Sequence, residues 1–344
     1  MSLDLPDLQF LWFTTFVILL AGYVILDGFD LGVGILHLFS TKDEERRLML
    51  NSIGPVWDGN EVWLVTAGGA LFAGFPQVYA TLCTAFYIPL MILLAGLIFR
   101  AVAIEFRSKQ SMMWWRWTWD VLFTLASLII AFTLGIVLGT MIHGIPLNAQ
   151  GDFIGIWSDL IHPYALLVGL MAVAVVTMHG AIYIVMKTEG ELHDKMRSWI
   201  QPAIIICILM YALTTMATLI FEPQMIEIMQ ERPYLFGIAV LNMLALANIP
   251  REVQKGHDGR AFLSSCLNIV FLIALFGVGM YPEVVRAVND PNNLSLTIYN
   301  SSSSYKTLTI LLTVALMGIP LVLAYTVSIY WIFHGKVKLD HSSY

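Results

Sequence analysis

Apolar residues in this chain run in long stretches rather than in the one-sided or alternating patterns of soluble helices and strands. A helix needs about 20 mostly apolar residues to cross the hydrocarbon of a bilayer. The candidate spans are 9–38, 53–75, 79–104, 119–142, 162–187, 202–221, 234–250, 262–282 and 306–333, of which the second is interrupted by polar groups and the seventh is short. Barrel-type alternation is missing from the sequence, so the pattern predicts an all-α, polytopic membrane bundle of about nine transmembrane helices.

The basic residues predict the orientation of this bundle. Of the 18 Lys and Arg residues, all but Arg232, Arg286 and Lys306 fall on one side of the predicted membrane. Excess Lys and Arg marks the cytoplasmic side. We therefore expect the N-terminus outside, the C-terminus in the cytoplasm, and the first helix retained, because its apolar run is too long for a cleavable signal peptide.

Composition supports a membrane protein and excludes several other classes. The chain is 58% hydrophobic and 12% charged, against about 25% charged residues in soluble domains. It shows neither a phosphate-binding glycine loop nor a basic nucleic-acid face, so no nucleic-acid partner is expected. Cys83, Cys207 and Cys266 lack metal-binding spacing and are interpreted as small buried hydrophobes. Residues 1–344 are predicted to form a single integral membrane domain.

Ionisable residues inside spans are rare and usually functional, since each costs roughly 2.5–3.5 kcal/mol at the bilayer centre on insertion scales. The first span contains Asp27 and Asp30, three residues apart and hence on one helix face. Glycines around them allow another helix to approach closely. The second span opens with Asp58, Asn60 and Glu61. Both sets lie toward the predicted cytoplasmic side.

Two interpretations of these acids stay open. Arg100 and Glu105 lie at the inner end of the third span, and Arg100 is the expected counter-charge. In one interpretation Arg100, Glu105 and Trp57 only fix helix packing around the acids. In the other, the acids form a relay that takes up protons or cations from the cytoplasm, because burial favours the protonated carboxyl. Arg107, seven residues after Arg100, is expected to be solvated in the loop that follows the third span.

Histidines bear on haem binding. A membrane b-type haem needs axial ligands that face each other from helix interiors. Only His179 lies deep in a predicted span. We interpret it as a hydrogen-bonded structural group, and expect this chain to ligate no metal and no haem.

The stretches DGFDLGVG at 27–34 and NSIGPVWDGNEVWL at 51–64 resemble subunit II of cytochrome bd-type ubiquinol/menaquinol oxidases. Shorter matches follow in order at 73–76, 79–80, 99–107, 190–193 and 295–300. The resemblance covers nearly the whole chain, and the second stretch is its most specific part.

This resemblance implies a haem-free second subunit in the cytoplasmic membrane of a bacterium or archaeon. The implied partner is a haem-bearing subunit I with haem b and haem d, or haem b alone, which oxidises quinol and reduces dioxygen to water. A small single-helix third subunit, and a structural quinone or lipid, stay open. Acids that match Asp30 and Asp58 belong to a cytoplasmic proton pathway in that family.

The function expected from sequence is therefore support of subunit I together with part of its proton uptake. The pathway residues are predicted to be Asp27, Asp30, Asp58, Asn60 and Glu61, with no complete active site in this chain alone. One alternative is a self-contained proton- or cation-coupled transporter, which would need a path open to both sides, whereas the acids lie on one side. The other alternative is a purely scaffolding subunit.

Overall fold

Long helices make up most of the computed structural model, which describes residues 7–339. The helices are α1 Leu8–Leu36, α2 Asp43–Ile53, α3 Trp57–Gly74, α4 Pro76–Ala85, α5 Tyr87–Phe106, α6 Met113–His143, α7 Pro163–Lys187, α8 Gly190–Phe221, α9 Gln224–Glu231, α10 Phe236–Gln254, α11 Asp258–Met280, α12 Pro291–Leu294 and α13 Tyr305–Ile332. Two short strands, β1 Glu283–Val285 and β2 Leu296–Thr297, pair antiparallel. The chain termini, whose sides of the membrane were predicted, lie outside the described residues.

Eight of the described helices, α1, α5, α6, α7, α8, α10, α11 and α13, are long and apolar enough to cross a membrane. The prediction of an all-α, polytopic membrane bundle is confirmed. The remaining predicted span, the second, corresponds to α3, which packs along α1. Asp58, Asn60 and Glu61 make α3 too polar to qualify by composition.

The second and third predicted spans have different limits in the structure. Residues 53–56 do not belong to the second span, because α2 ends at Ile53 and α3 begins only at Trp57. The predicted span 79–104 is divided between α4 and α5 at Phe86. Pro89 explains this division, since it lacks the N–H that would continue α4 into α5.

Helix α1 lies at the centre of the bundle and contacts α3, α6, α7, α11 and α13. Its crossing with α7 is very close at Gly32 and Gly180. A Cβ built on Gly180 would lie 2.6 Å from Gly32 Cα, so neither position has room for a side chain. Beside this crossing, Phe29 stacks on Tyr183 at 4.0 Å between ring centroids.

The two ends of the bundle differ in structure. We call the end that carries Lys42, Arg107 and Lys195 the inner end, and the opposite one the outer end. At the outer end, the connection after α6 and the connection around β1 and β2 join through an Ile145–Ala287 bridge. The inner connections are short and largely helical, so soluble structure is concentrated at the outer end.

Cysteine labelling tests the predicted orientation. Ala149, in the connection after α6, and Glu191, at the start of α8, are both exposed. We expect Ala149→Cys to react with an impermeant maleimide from outside intact cells, and Glu191→Cys to react only after the membrane is opened. The unsubstituted chain is the control for Cys83, Cys207 and Cys266, which lie within helices. Labelling of both variants from the same side would contradict the orientation.

Candidate functional site

Asp27, Glu61 and Arg100 meet in the inner half of the bundle. Arg100 Nη2 donates to Asp27 Oδ1 at 2.5 Å, and Arg100 Nε donates to Glu61 Oε1 at 3.1 Å. Arg100 and Asp27 are fully buried, whereas the Glu61 side chain remains 21% exposed. One guanidinium group therefore connects α1, α3 and α5.

Asp30 lies beside this ion pair and is held differently. Asn60 Nδ2 donates to Asp30 Oδ2 at 2.8 Å and to the Leu26 carbonyl at 3.2 Å. Tyr330 of α13 donates to Asn60 Oδ1 at 3.0 Å. Asp30 thus accepts from a neutral amide, and no Lys or Arg of the described chain pairs with it.

The depth of the cluster follows from its place on α1. Asp27 and Asp30 precede Leu36, the last residue of α1, by nine and six residues. At a rise of about 1.5 Å per residue they lie about 14 and 9 Å from that end. Because Asn60 bonds Leu26 and Asp30, α3 begins at their depth in the bundle, short of the inner end of α1, and the polar start of α3 meets the acids of α1 there.

The other predicted site residues lie apart from this buried cluster. Asp58 is exposed in the first turn of α3, on a different face from Asn60. Trp57 is buried in the inner apolar core. Glu105 is half-buried in the last turn of α5, five residues beyond Arg100. Of the predicted pathway residues, the structure brings together Asp27, Asp30, Asn60 and Glu61.

Several buried polar atoms around the cluster have no hydrogen-bond partner within the described chain. They are Tyr23 Oη, Asp27 Oδ2, Asp30 Oδ1 and Arg100 Nη1. Tyr23 precedes Asp27 by one helical turn, so the two side chains share a face of α1. Such atoms in proteins are normally bonded to protein or to ordered water. The arrangement can therefore hold water between carboxylates.

A second polar cluster, at the inner end, was missed by sequence reasoning. Arg107 Nε donates to Asp120 Oδ1 at 2.5 Å, and Arg107 Nη2 donates to Asp43 Oδ1 at 2.8 Å. Arg46 and His37 also bond Asp120, at 2.8 and 2.6 Å. The expectation that Arg107 is solvated was wrong, because the folded chain closes α2 and α6 over it and leaves it 1% exposed. Asp120, an acid inside a predicted span, was the signal that could have revealed this cluster.

A third cluster, at the outer end, also has no counterpart in the sequence predictions. His143 Nδ1 lies 2.7 Å from Glu222 Oε1, and Gln224 Nε2 donates to Glu222 Oε2 at 2.9 Å. Burial alone would raise the pKa of Glu222, but these two hydrogen bonds outweigh burial and lower the pKa. Burial and the neighbouring His143 lower the pKa of His162 to about 4. The cluster joins the outer ends of α6, α7 and α8.

His179, the deep histidine, has both ring nitrogens occupied. Nε2 lies 3.0 Å from the Ile25 carbonyl, and Nδ1 lies 2.8 Å from Ser265 Oγ. A carbonyl can only accept, so Nε2 carries the proton and Nδ1 accepts from Ser265. The ring also stacks on Phe262 at 4.8 Å. A haem iron therefore does not fit His179 in this fold.

Comparison with known proteins identifies the family. The family described as cytochrome bd terminal oxidase subunit II matches residues 8–333. The chain belongs to this family. Cytochrome bd-I ubiquinol oxidase subunit 2 of Escherichia coli (strain K12) is 32% identical over 98% of this chain and 97% of its own length. Cytochrome bd ubiquinol oxidase subunit 2 of Bacillus subtilis (strain 168) is 32% identical over 97% of this chain and 98% of its own.

A solved structure shares the fold of this subunit II. The bd oxidase from Geobacillus thermodenitrificans matches with a TM-score of 0.78 at 19% identity, over 95% of this chain and 98% of that chain. This match shows the fold, and membership in the subunit II family implies a multi-pass membrane subunit of a respiratory oxidoreductase complex with haem and a subunit I. The predicted family, fold class and role as an oxidase subunit are confirmed.

Burial of Arg107 makes its substitution costly as well as that of Arg100. We expect Arg107→Leu to reduce assembly of the oxidase, but less than Arg100→Leu. Asp120 keeps Arg46 and His37 as partners when Arg107 is removed, whereas loss of Arg100 leaves the buried carboxylate of Asp27 unpaired at a cost of about 3–5 kcal/mol. Arg232→Leu removes an exposed arginine by the same substitution and is the control. Yield and thermal stability of the purified complex measure the effect. Equal yield and thermal stability of the Arg107→Leu and Arg232→Leu complexes would contradict a structural role for the buried Arg107.

Substitution of His179 tests its assignment as a structural group. We expect His179→Ala to keep every haem absorbance band of the assembled complex, because both ring nitrogens already bond Ile25 and Ser265. Some loss of stability is expected from the missing contacts with Ser265 and Phe262. The optical spectrum per assembled complex is the measurement, and loss of one haem band in an intact complex would show that the assignment is wrong.

Proposed function

We propose that this chain supports the haem-bearing subunit I of a quinol oxidase and supplies it with protons from the cytoplasm. The observation that carries the proposal is the buried acid cluster of the inner half, Asp27, Asp30 and Glu61 around Arg100 and Asn60. Reduction of dioxygen to water consumes protons, which must cross part of the membrane to reach an oxygen site within it. Carboxylates spaced along helices with water between them can carry protons in this way.

The charge balance of the cluster favours a proton route over a packing role alone. Two acids, Asp27 and Glu61, bond the single guanidinium of Arg100, and a third, Asp30, has only the neutral amide of Asn60 as its donor. An ionised carboxylate without a cationic partner is expensive at this depth, so an acid that exchanges protons is favoured over a permanent charge. The unpartnered oxygens of Asp27 and Asp30 are suitable positions for the water that such exchange needs.

The one-sided position of the cluster disfavours a transporter. The outer halves of α1 and α3 pack through apolar contacts around Trp12, Leu71 and Phe75. We therefore propose a half-channel that opens toward the cytoplasm. The protein is then oriented with its inner end in the cytoplasm, in the cytoplasmic membrane of its cell.

The exit of this half-channel is proposed to lie on one stripe of α3. Exposed residues follow each other along that stripe at helical spacing: Asp58, Val62, Val65, Gly69 and Phe72. An aspartate that faces lipid would be costly, whereas a protein partner can hydrogen-bond it. We propose that subunit I covers this stripe and receives protons at Asp58, which lies one helical turn from Glu61.

The cofactors are proposed to belong mainly to the partner. Subunit I would hold haem b with haem d, or haem b alone, and would oxidise quinol. His179 does not fit an iron ligand, which supports this division. A small single-helix third subunit is compatible with the exposed apolar surface of the bundle.

A cleft of about 410 Å³ between α1, α6, α7, α8 and α11 is proposed to hold a structural quinone or lipid. Its walls are mostly apolar, and six residues that carry hydroxyl groups line it: Tyr23, Tyr164, Tyr211, Thr214, Thr215 and Thr218. Apolar walls with a few polar groups suit a molecule with a long hydrocarbon tail and a small polar head.

Asp58→Asn tests the proton route, because it preserves shape and removes the titratable proton. We expect the variant complex to assemble with normal haem content and to reduce dioxygen slowly, while electron entry from quinol remains fast. Stopped-flow oxidation of the fully reduced complex separates these steps. Asp194→Asn, the same change at an exposed acid near the inner start of α8, is the control. If the Asp58→Asn complex reduces dioxygen at the wild-type rate, Asp58 has only a structural role and is not part of the proton route.

A further inference from the structure

Tyr330, near the inner end of α13, makes the hydrogen bond that completes the Asn60–Asp30 contact. We propose that Tyr330 is a positioning residue of the proton route. It fixes the Asn60 amide against Asp30 and makes that contact depend on the position of α13. This inference rests on the proposed function, since it has a consequence for turnover only if Asp30 carries protons.

The hydrogen bonds of Asn60 determine which way its amide faces. Nδ2 serves two acceptors, the Leu26 carbonyl at 3.2 Å and Asp30 Oδ2 at 2.8 Å. The carbonyl cannot donate, so the amide nitrogen must lie on this side. Oδ1 then faces α13, where the Tyr330 hydroxyl donates to it at 3.0 Å. Without the Tyr330 hydroxyl, Asn60 Oδ1 would be a buried acceptor with no partner. The Asn60 amide would then be held only by its contacts with Leu26 and Asp30.

Aromatic packing directs Tyr330 at this amide. Its ring meets Phe29 edge-on, at 6.4 Å and 87°. Phe29 belongs to α1, between Asp27 and Asp30, and is itself held by its stack on Tyr183. Helix α1, which carries Asp27 and Asp30, therefore also supplies the aromatic ring that directs the Tyr330 hydroxyl toward Asn60.

The inner end of α13 is tethered independently of the rest of the helix. Lys187 Nζ donates to the Phe333 carbonyl at 2.6 Å, and the Val337 N–H donates to the Lys187 carbonyl at 2.8 Å. Lys336 Nζ donates to the Thr188 carbonyl at 2.9 Å. These bonds tie the chain after α13 to the inner end of α7 and so keep Tyr330 at the level of Asn60.

The body of α13, by contrast, is held weakly by this chain. Leu308 is the one buried residue of the helix. At the outer end, Ser303 bonds the Ala73 and Gly74 carbonyls through its side chain and its backbone N–H. Between these two attachments α13 packs on this chain only through partly buried residues such as Leu311 and Ala315. Tyr330 is therefore the point at which the position of α13 acts on the Asn60–Asp30 pair.

The test compares Tyr330→Phe with Tyr325→Phe in the complete oxidase. Both variants lose one hydroxyl from α13, but Tyr325 is 61% exposed and lies away from Asn60. We expect Tyr330→Phe to keep normal haem content, to lower quinol-driven oxygen consumption per haem about two- to tenfold, the effect of one lost hydrogen bond, and to increase the solvent deuterium isotope effect. Tyr325→Phe should match wild type in all three measurements.

Two outcomes would overturn the role of Tyr330. One is wild-type turnover and isotope effect in Tyr330→Phe. The other is reduced haem content with unchanged turnover per assembled haem, which indicates a structural role only.

Asp30→Asn separates this inference from the proposed function. If Asp30→Asn slows turnover and Tyr330→Phe does not, the inference alone fails. If Asp30→Asn leaves turnover and isotope effect unchanged, the proposed route fails as well. The double variant is expected to be no slower than Asp30→Asn, because both changes act on one step. Additive losses would place Tyr330 elsewhere in the mechanism and overturn its positioning role.

Discussion

The arrangement of helices α1, α3 and α5 depends on the free-energy cost of placing a charge in hydrocarbon. Arg100 lies fully buried, and its guanidinium is tolerated because Asp27 and Glu61 bond it. That requirement joins three helices at one depth, since the acids come from α1 and α3 and the base from α5. It also explains why α3 begins at the depth of these acids, short of the inner end of α1. Its polar first turns have to reach the acids of α1, and its apolar remainder then crosses the outer half.

The two inner clusters show how the same physics gives different chemistry. Asp120 is surrounded by Arg107, Arg46 and His37, so its charge is compensated several times and it fastens the inner ends of the helices. In the cluster around Arg100 the acids outnumber the base, and Asp30 has only a neutral amide as its donor. A compensated acid stabilises a fold, whereas an uncompensated acid at depth exchanges protons more readily. The proposed route uses the cluster around Arg100 for this reason.

Two helices of this subunit, α3 and α13, leave large faces without packing partners in the described chain. Helix α3 exposes a stripe that begins with Asp58 and continues with apolar residues, and α13 buries one residue of its own length. A bundle in lipid tolerates exposed apolar faces, but an exposed acid at the edge of the hydrocarbon indicates a protein neighbour. Membership in the cytochrome bd terminal oxidase subunit II family implies a subunit I partner, which we propose as that neighbour. In the proposed route, Tyr330 and Asp58 are the residues through which its position acts on the acid cluster.

The sequence by itself determined the all-helical membrane fold, the family and the acids of the inner side. Those properties depend on local hydrophobicity, on charge placement and on the 51–64 motif. Only the tertiary structure decided which acids meet. Asp58 and Glu61 are three residues apart, yet one is exposed and the other bonds Arg100. Arg107 appeared to belong to a solvated loop, because its partners Asp43 and Asp120 come from other elements. Long-range packing, which local sequence patterns do not encode, separates the residues that share a cluster from those that are merely close in the chain.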